Sequence, residues 1–316
     1  MVLPLLASSL PMLSLPLRVV CQPAINQQLA LETPLIGTHD GTFHCDEALA
    51  IAMLTLLPEY SESMVLRSRN SEYLSKCSIV VDVGAVCDPT CHRYDHHQRE
   101  FTGTFSEDHK VKLSSAGLVY KYFGERIIHR ILSDSSHDVD SSQLVDVLYT
   151  KVYDAFIQHI DGIDNGVEVA EGELKYIIST TLSSRVGKLN PSWNEDQSSE
   201  YANEQFLKAV ALTGSEFIDH VNDMILRWWP ARSILQKAIQ DRFTVHSSGQ
   251  IIILEQFCPW QSHLFDIETE VWNFSNRYFF LIDSVVMHRC EFQTLCFTCS
   301  MKIKAGLGEF KLCLLV

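Results

Sequence analysis

Short apolar runs, too brief for buried helices, alternate with longer helical stretches through the first half of this 316-residue chain. Met64-Val-Leu-Arg67 and Ser78-Ile-Val-Val-Asp82-Val83 are β-branched and apolar up to a charged residue. Strands without polar alternation are covered on both faces, the habit of parallel sheets. Leu35-Ile-Gly-Thr-His39 is a third such run, followed by a helix over Asp46–Leu57 that is apolar nearly all round and stopped by Pro58. Ser114-Ser115 is expected to cap a helix to about Phe123 with Gly124 ending it, and Gln143–Ile160 reads as another helix. Strand and helix in alternation make residues 32–172 an α/β, doubly wound domain with a mostly parallel sheet.

From Leu174 the character changes. A loop at Asn190-Pro-Ser-Trp-Asn precedes helices over Glu200–Leu212 and Glu216–Ile239, the second broken or kinked at Pro230, and then a strand, Gln250–Glu255. Residues 173–270 are therefore expected to form a second, smaller α+β domain. Residues 1–31 hold no acidic residue and a single Arg, which suits an organelle leader, mitochondrial by preference, or a disordered tail. No run of 18 apolar residues suggests a membrane span. Ten Cys without a regular framework point to a reducing compartment. The net charge of −14 excludes a generally basic nucleic-acid binder, so any polyanion must be met locally or through bound cations.

The chemistry gathers at the expected strand ends. His39, His44 and Asp46 lie in Thr38-His-Asp-Gly-Thr-Phe-His-Cys-Asp-Glu47, where a strand turns into the next helix, and ligands of open α/β sheets bind at such ends. Imidazole with carboxylate suits a divalent metal such as manganese. Asp82 closes an apolar strand and is costly to bury without a partner; a cation is one, a helix N-terminus another. In Tyr94-Asp-His-His-Gln98 the adjacent imidazoles diverge, so one can ligate a metal while the other faces substrate. Asp161 and Asp164 close the last helix of the region, within a stretch, residues 134–173, that carries ten acidic residues and one Lys. Together these pieces indicate a two-metal site.

That order of motifs resembles the DHH phosphoesterase superfamily. Within it, Ile36-Gly-Thr-His-Asp-Gly-Thr-Phe-His-Cys-Asp-Glu-Ala48, Val81-Asp-Val-Gly84, His92-Arg-Tyr-Asp-His-His-Gln-Arg99, Lys112-Leu-Ser-Ser-Ala-Gly-Leu-Val-Tyr120 and Leu254-Glu-Gln-Phe-Cys-Pro-Trp260 resemble the melanocyte-proliferating-gene-one (MYG) exonuclease family. The resemblance implies a DHH-like fold and a metal-dependent 3′–5′ exonuclease acting on RNA or short oligonucleotides, found in mitochondrion or nucleus. It further implies two divalent ions, Mn2+ or Mg2+. His39, His44, Asp46 and His96 would ligate, Asp82 would bridge, and either Asp161 or Asp164 would supply the last ligand. His97 would contact the phosphate or give it a proton, Asp82 and His97 being the catalytic pair. Ser114 and Ser115 offer a phosphate cradle or simply an N-cap. Arg67, with Arg69, can face phosphate, although surface charge is the plainer account. Trp228, Trp229 and Trp260 suit base stacking or core packing.

After Glu270 the family's glycine-rich pattern is missing, so residues 271–316 are expected to be a divergent tail and the substrate-binding domain incomplete. His288, Cys290, Cys296 and Cys299 have a loose zinc-like spacing there. Two other functions remain in view: hydrolysis of small phosphorylated substrates such as pyrophosphate or cyclic dinucleotides, and a catalytically weak, metal-stabilised regulatory protein.

Overall fold

The computed structural model describes residues 17–20, 33–134, 141–249, 251–272, 280–283, 300–305 and 308–313. Contacts divide the chain into two compact units, Met1–Asn222 and Asp223–Val316.

In the first unit, six strands form one sheet in the order β1-β3-β2-β4-β6-β5. They are β1 Val19–Val20, β2 Leu35–Thr38, β3 Met64–Arg67, β4 Ile79–Val81, β5 Cys87–Asp88 and β6 Arg93–Tyr94. Every neighbouring pair is parallel except β5 with β6. The central strands β2 and β4 carry Ile36, Ile79, Val80 and Val81, all fully buried, as their unbroken apolar sequence requires. A Cβ on Gly37 would sit 3.0 Å from Cys77 Sγ and 3.2 Å from Val80, so glycine here lets neighbouring side chains close over the strand. Within the segment read as a leader, Val19–Val20 adds an edge strand beside β3, while residues 1–16 and 21–32 lie outside the described residues.

Parallel register has a direct consequence for the site. Because β2, β4 and β6 are parallel neighbours, their C-terminal ends share one edge of the sheet. The chain leaves those ends at His39, Asp82 and Asp95. Helix α1, Cys45–Thr55, follows β2 and is buried at every residue. Helix α2, Ser115–Asp134, packs along it. Gly124 does not stop α2. Ile127, Ile128 and Ile131 continue its buried face, and the glycine lies where a Cβ would come within 3.0 Å of Tyr149. Helix α3, Ser141–Val152, passes through a π-helical turn at Tyr153–Ile157 into α4, Gln158–Asp164.

After α5, Leu182–Gly187, the pair of helices expected around residue 213 is a single helix, α6, Ser199–Asp223. Gly214 is again a point of close approach, 3.0 Å from Ala52 Cβ for an added methyl, rather than a break. The apolar side of α6 belongs to the first unit: Phe206 meets Phe43 edge-on at 5.5 Å and Phe217 meets Tyr120 at 6.2 Å. This is why the contact boundary falls after Asn222, well past the change of character at Leu174.

In the second unit, a π-helical turn at Met224–Trp228 ends before Pro230, and α7, Ala231–Gln240, begins beyond it. Strand β7, Ile251–Leu254, pairs in parallel with β8, Phe280–Asp283, and α8 spans Trp260–Trp272. Leu235, Ile239, Ile252, Leu254, Leu264 and Ile267 form its core. Strands β9, Ser300–Ala305, and β10, Gly308–Cys313, pair antiparallel. Trp228 stacks on His263 at 3.9 Å and donates to Ser262 Oγ at 2.9 Å, and Trp260 packs on the core. Packing, not base stacking, accounts for both. Positions 288, 290, 296 and 299 lie outside the described residues. Among the described residues no helix is long and apolar enough to cross a membrane.

Candidate metal centre

The carboxyl edge of the sheet gathers the expected residues. Asp82, just past β4, adopts a left-handed φ of 57°, a conformation that aspartate tolerates better than most residues. Its carboxylate faces two ways: Oδ2 lies 3.3 Å from His39 Nε2 and Oδ1 lies 3.4 Å from His96 Nε2. His96 Nε2 also lies 3.1 Å from Asp164 Oδ2 and 4.0 Å from Asp46 Oδ2. His44, at the N-cap of α1, shares one ligand-sized group with His39, Glu47 and Asp82 and another with Asp46 and Asp164. His39, His44, Asp46, Asp82, His96 and Asp164 are thus brought together from β2, α1, β4, β6 and α4.

Asp161 is not brought into the group, which separates the two candidates left open for the last position. Its Oδ1 accepts from Ser114 N at 2.9 Å and Ser114 Oγ at 2.7 Å, and its Oδ2 from Tyr153 OH at 2.9 Å. Burial outweighs those hydrogen bonds and pushes the Asp161 carboxyl up to about 6. A Cβ on Gly117 would land on this carboxylate, so glycine at that turn makes the space for it. The serine pair is likewise turned inward. Ser115 Oγ donates to Asp82 Oδ1 at 3.1 Å and Ser115 N to Asp46 Oδ2 at 3.3 Å, and both serines are fully buried. Instead of opening onto a substrate phosphate, the N-terminus of α2 holds three buried carboxylates, as the positive end of a helix dipole favours.

Arg67 is also taken inside. Its guanidinium donates to the carbonyls of His39 and Gly41 and to Asn203 Oδ1, and lies 4.7 Å from the Phe206 ring centroid. It is neither a surface charge nor free for phosphate; it braces the loop after β2. Arg69 is the exposed one of the two, paired with Asp40 at 3.0 Å.

Three participants carried no recognised signal in the sequence. Glu47, fully buried, lies 3.0 Å from His39 Nε2 and accepts from His44 N at 2.8 Å; it sat in the quoted motif without a role. Asp95 accepts from His97 N at 3.1 Å, lies 2.7 Å from His97 Nδ1 and accepts from Ala85 N, which orients the exposed His97 ring. Asn165 donates through Nδ2 to the carbonyls of Lys112 and Asp161, which presents its Oδ1 to His96 Nδ1 at 3.3 Å. With Nδ1 donating to Asn165, the neutral His96 ring turns the lone pair of Nε2 toward the carboxylates. Only the capping-box spacing of Glu47, three residues after the N-cap, was legible beforehand.

Electrostatics fit a cation. Burial, then the charges of Asp82 and Asp164, raise the Asp46 carboxyl well above its usual range. Burial would lower His39 and His96, but hydrogen bonds to Asp82 with Glu47 or Asp164 override it and raise both to about 9. Burial would raise Asp82, yet those two imidazoles hold it well below the usual carboxylate range. Protons therefore stand where cations would. Asp46 Oδ1 is buried with no hydrogen-bond partner among the described residues, an arrangement that costs free energy unless an ion satisfies it. Nitrogen and oxygen donors together suit a divalent transition metal. Burial raises the Cys45 thiol to about 12, which disfavours its thiolate.

Residues 35–299 match the family described as MYG1 exonuclease, uncharacterised protein family UPF0160, so the match runs beyond residue 270, where the recognised motifs ended. The chain is similar to the MYG1 exonuclease of Mus musculus, 46% identical over 245 residues, covering 75% of this chain and 63% of the relative. It is similar to the MYG1 exonuclease of Homo sapiens, 44% identical over 255 residues, 78% and 66% respectively. The MYG1 protein of Dictyostelium discoideum is 47% identical over 237 residues, 74% and 70%. The chain thus spans somewhat under two thirds of the length of these mouse and human relatives. No solved structure matches it. The extent of that match, and the His and Asp motifs that the sheet edge brings together, place this chain in the MYG1 exonuclease family.

Proposed function

We propose that the chain is a metal-dependent phosphodiesterase, an exonuclease that removes nucleotides from the 3′ end of RNA by two-metal hydrolysis. The observation that carries this reading is the Asp82 carboxylate, with one oxygen toward His39 and the other toward His96. A carboxylate so placed can be shared between two ions. His39, His44 and Glu47 would make one set with Asp82; His96, whose Nε2 lies 4.0 Å from Asp46 and 3.1 Å from Asp164, would make the other with those two carboxylates, while Asp161 supports the helix behind them. Divalent ions bound there, Mn2+ or Mg2+, would polarise a phosphoryl oxygen and activate a water.

The chain's own groups then have defined tasks. Asp95 engages Nδ1 of His97, which leaves Nε2 of that exposed ring to hold the phosphate or pass a proton to the leaving oxygen. Asn165 keeps His96 in its ligating tautomer. Arg67 fixes the turn from His39 to Gly41, and Ser115 steadies Asp82. Residues from 173 onward would contribute substrate binding, and the address expected from the resemblance is mitochondrion or nucleus.

The test is manganese-dependent degradation of a 3′-labelled single-stranded RNA by the wild type and by Asp82→Ala. Loss of cleavage in the variant, with thermal unfolding still cooperative, is expected. Cleavage by Asp82→Ala at the wild-type rate would refute the shared-carboxylate mechanism.

A further inference from the structure

Beside the carboxylate cluster the first unit holds a cleft of about 400 Å³. It meets the cluster at His44, His97 and Asp164, and Phe43, Ile160, Ile163, Ser183 and Ser184 form much of the remaining wall. The volume lies at the lower end for small-ligand sites, enough for one nucleoside and too small for a stacked oligonucleotide. Its wall joins apolar carbon to a few hydroxyls, which suits a base and a sugar.

The charge on that wall is selective. Among the described residues no lysine or arginine lines the cleft. Arg185, on the same short helix as the two serines, is paired with Glu216 at 2.8 Å. Ser184 is engaged with Thr181 Oγ1, which accepts from its amide at 3.1 Å. The scissile phosphate would sit at the cluster beside His97, and a second phosphate farther along this wall would meet no lysine or arginine among the described residues.

We propose that the cleft holds the terminal nucleoside of the substrate, bare of any further phosphate, and so restricts cleavage to chain ends without a terminal phosphate. This rests on the phosphodiesterase reading above and adds the specificity of the same site. An uncharged end is desolvated at little cost. An added phosphate loses its water without gaining a partner.

The experiment uses the manganese-loaded protein with the dinucleotide ApA and its two phosphorylated forms, pApA and ApAp. ApA should be cleaved, and one phosphorylated form should fall at least ~30-fold in kcat/KM, the affected end being the one the cleft holds. Ile163 is 44% exposed, so Ile163→Lys is tolerated by the fold and places a cation on the wall. That variant should raise the disfavoured dinucleotide relative to ApA by about tenfold. In the metal-free protein, adenosine should shift the amide resonances of Ile163, Ser183 and Ser184, and inorganic phosphate should not. Cleavage of all three dinucleotides within about twofold, or no shift with adenosine, overturns the proposal. Bis(p-nitrophenyl) phosphate separates the two levels. If it is hydrolysed while the dinucleotides are undiscriminated, the cleft assignment alone falls. If neither it nor any dinucleotide is hydrolysed, the phosphodiesterase reading falls and the cleft assignment with it.

Discussion

Asp161 and Asp164 stand three residues apart and differ in what they touch, so removing each should have opposite signatures. Asp161→Ala leaves Ser114 N, Ser114 Oγ and Tyr153 OH without their acceptor. At roughly 1.5 kcal/mol for each orphaned buried donor, the loss is about 4–5 kcal/mol. The wild type, however, already bears a cost for keeping this carboxylate ionised. Its carboxyl is raised from 3.8 to about 6 in the fold. The folded state therefore binds more protons than the unfolded chain between those values, and its stability falls as pH rises through that window. At 1.36 kcal/mol per pH unit the difference is about 3 kcal/mol. Asp161→Ala should thus destabilise by about 3 kcal/mol at pH 5, where part of that cost is already incurred, and by about 1–2 kcal/mol at pH 7.5. Asp164→Ala orphans no hydroxyl; it takes a like charge away from Asp46, which offsets the loss of one partner of His96 Nε2, a nitrogen that keeps Asp82. It should leave metal-free stability within ~1 kcal/mol while weakening manganese binding by at least ~100-fold, more than loss of an outer partner does. Urea unfolding in EDTA at both pH values and calorimetric manganese titration of both variants supply the readouts. An Asp161→Ala penalty that is equal at the two pH values, or manganese affinity lost in Asp161→Ala and kept in Asp164→Ala, would refute the reasoning. Asp161→Asn, which keeps the shape and one acceptor, serves if the alanine variant does not fold.

Gly117→Ala should cost ~2–4 kcal/mol in thermal or urea unfolding, because its methyl would occupy the place of the Asp161 carboxylate. Replacing Asn165 by Leu should lower manganese affinity ~10–100-fold in calorimetry, since His96 loses the acceptor that sets its tautomer. Metal binding at pH 7 should release protons from His39 and His96, both raised to about 9, so affinity should climb with pH until about 9; titrations in buffers of different ionisation enthalpy count those protons. In the metal-free protein the same two imidazoles contribute stability that is complete below pH 6.5 and gone above about 9, and chevron or urea midpoints across that range would show it. Gly214→Leu should destabilise by more than 1 kcal/mol through the close approach to Ala52.

The parallel strands and the ligand types were legible in the chain, for one reason. Unbroken β-branched runs such as Ile79-Val80-Val81 need cover on both faces, and a charged residue closing such a run marks a strand end. Short-range pattern also sufficed for α1, whose residues are apolar nearly all round, and for the break at Pro230. What it could not settle depended on who faces whom. Gly124 looks like a stop signal in one dimension and Gly214 falls in the gap between two expected helices, yet both prove to be contact points between helices, because only a packed neighbour distinguishes the two uses. Ser114 and Ser115 offer the same donors to a phosphate or to a carboxylate, and the approach of α4 and β4 decides for Asp161 and Asp82. Arg67 reads as surface charge until the fold wraps Phe43 and Phe206 around it. Asp161 and Asp164 are equivalent as letters and lie only about 60° apart around one helix face, so which carboxylate meets Ser114 and which meets His96 is decided only once the helix is docked. The residue types of the centre are thus written in the sequence, while their assignment to ion, helix end or partner side chain belongs to the tertiary structure, since directed contacts between distant segments have no local code.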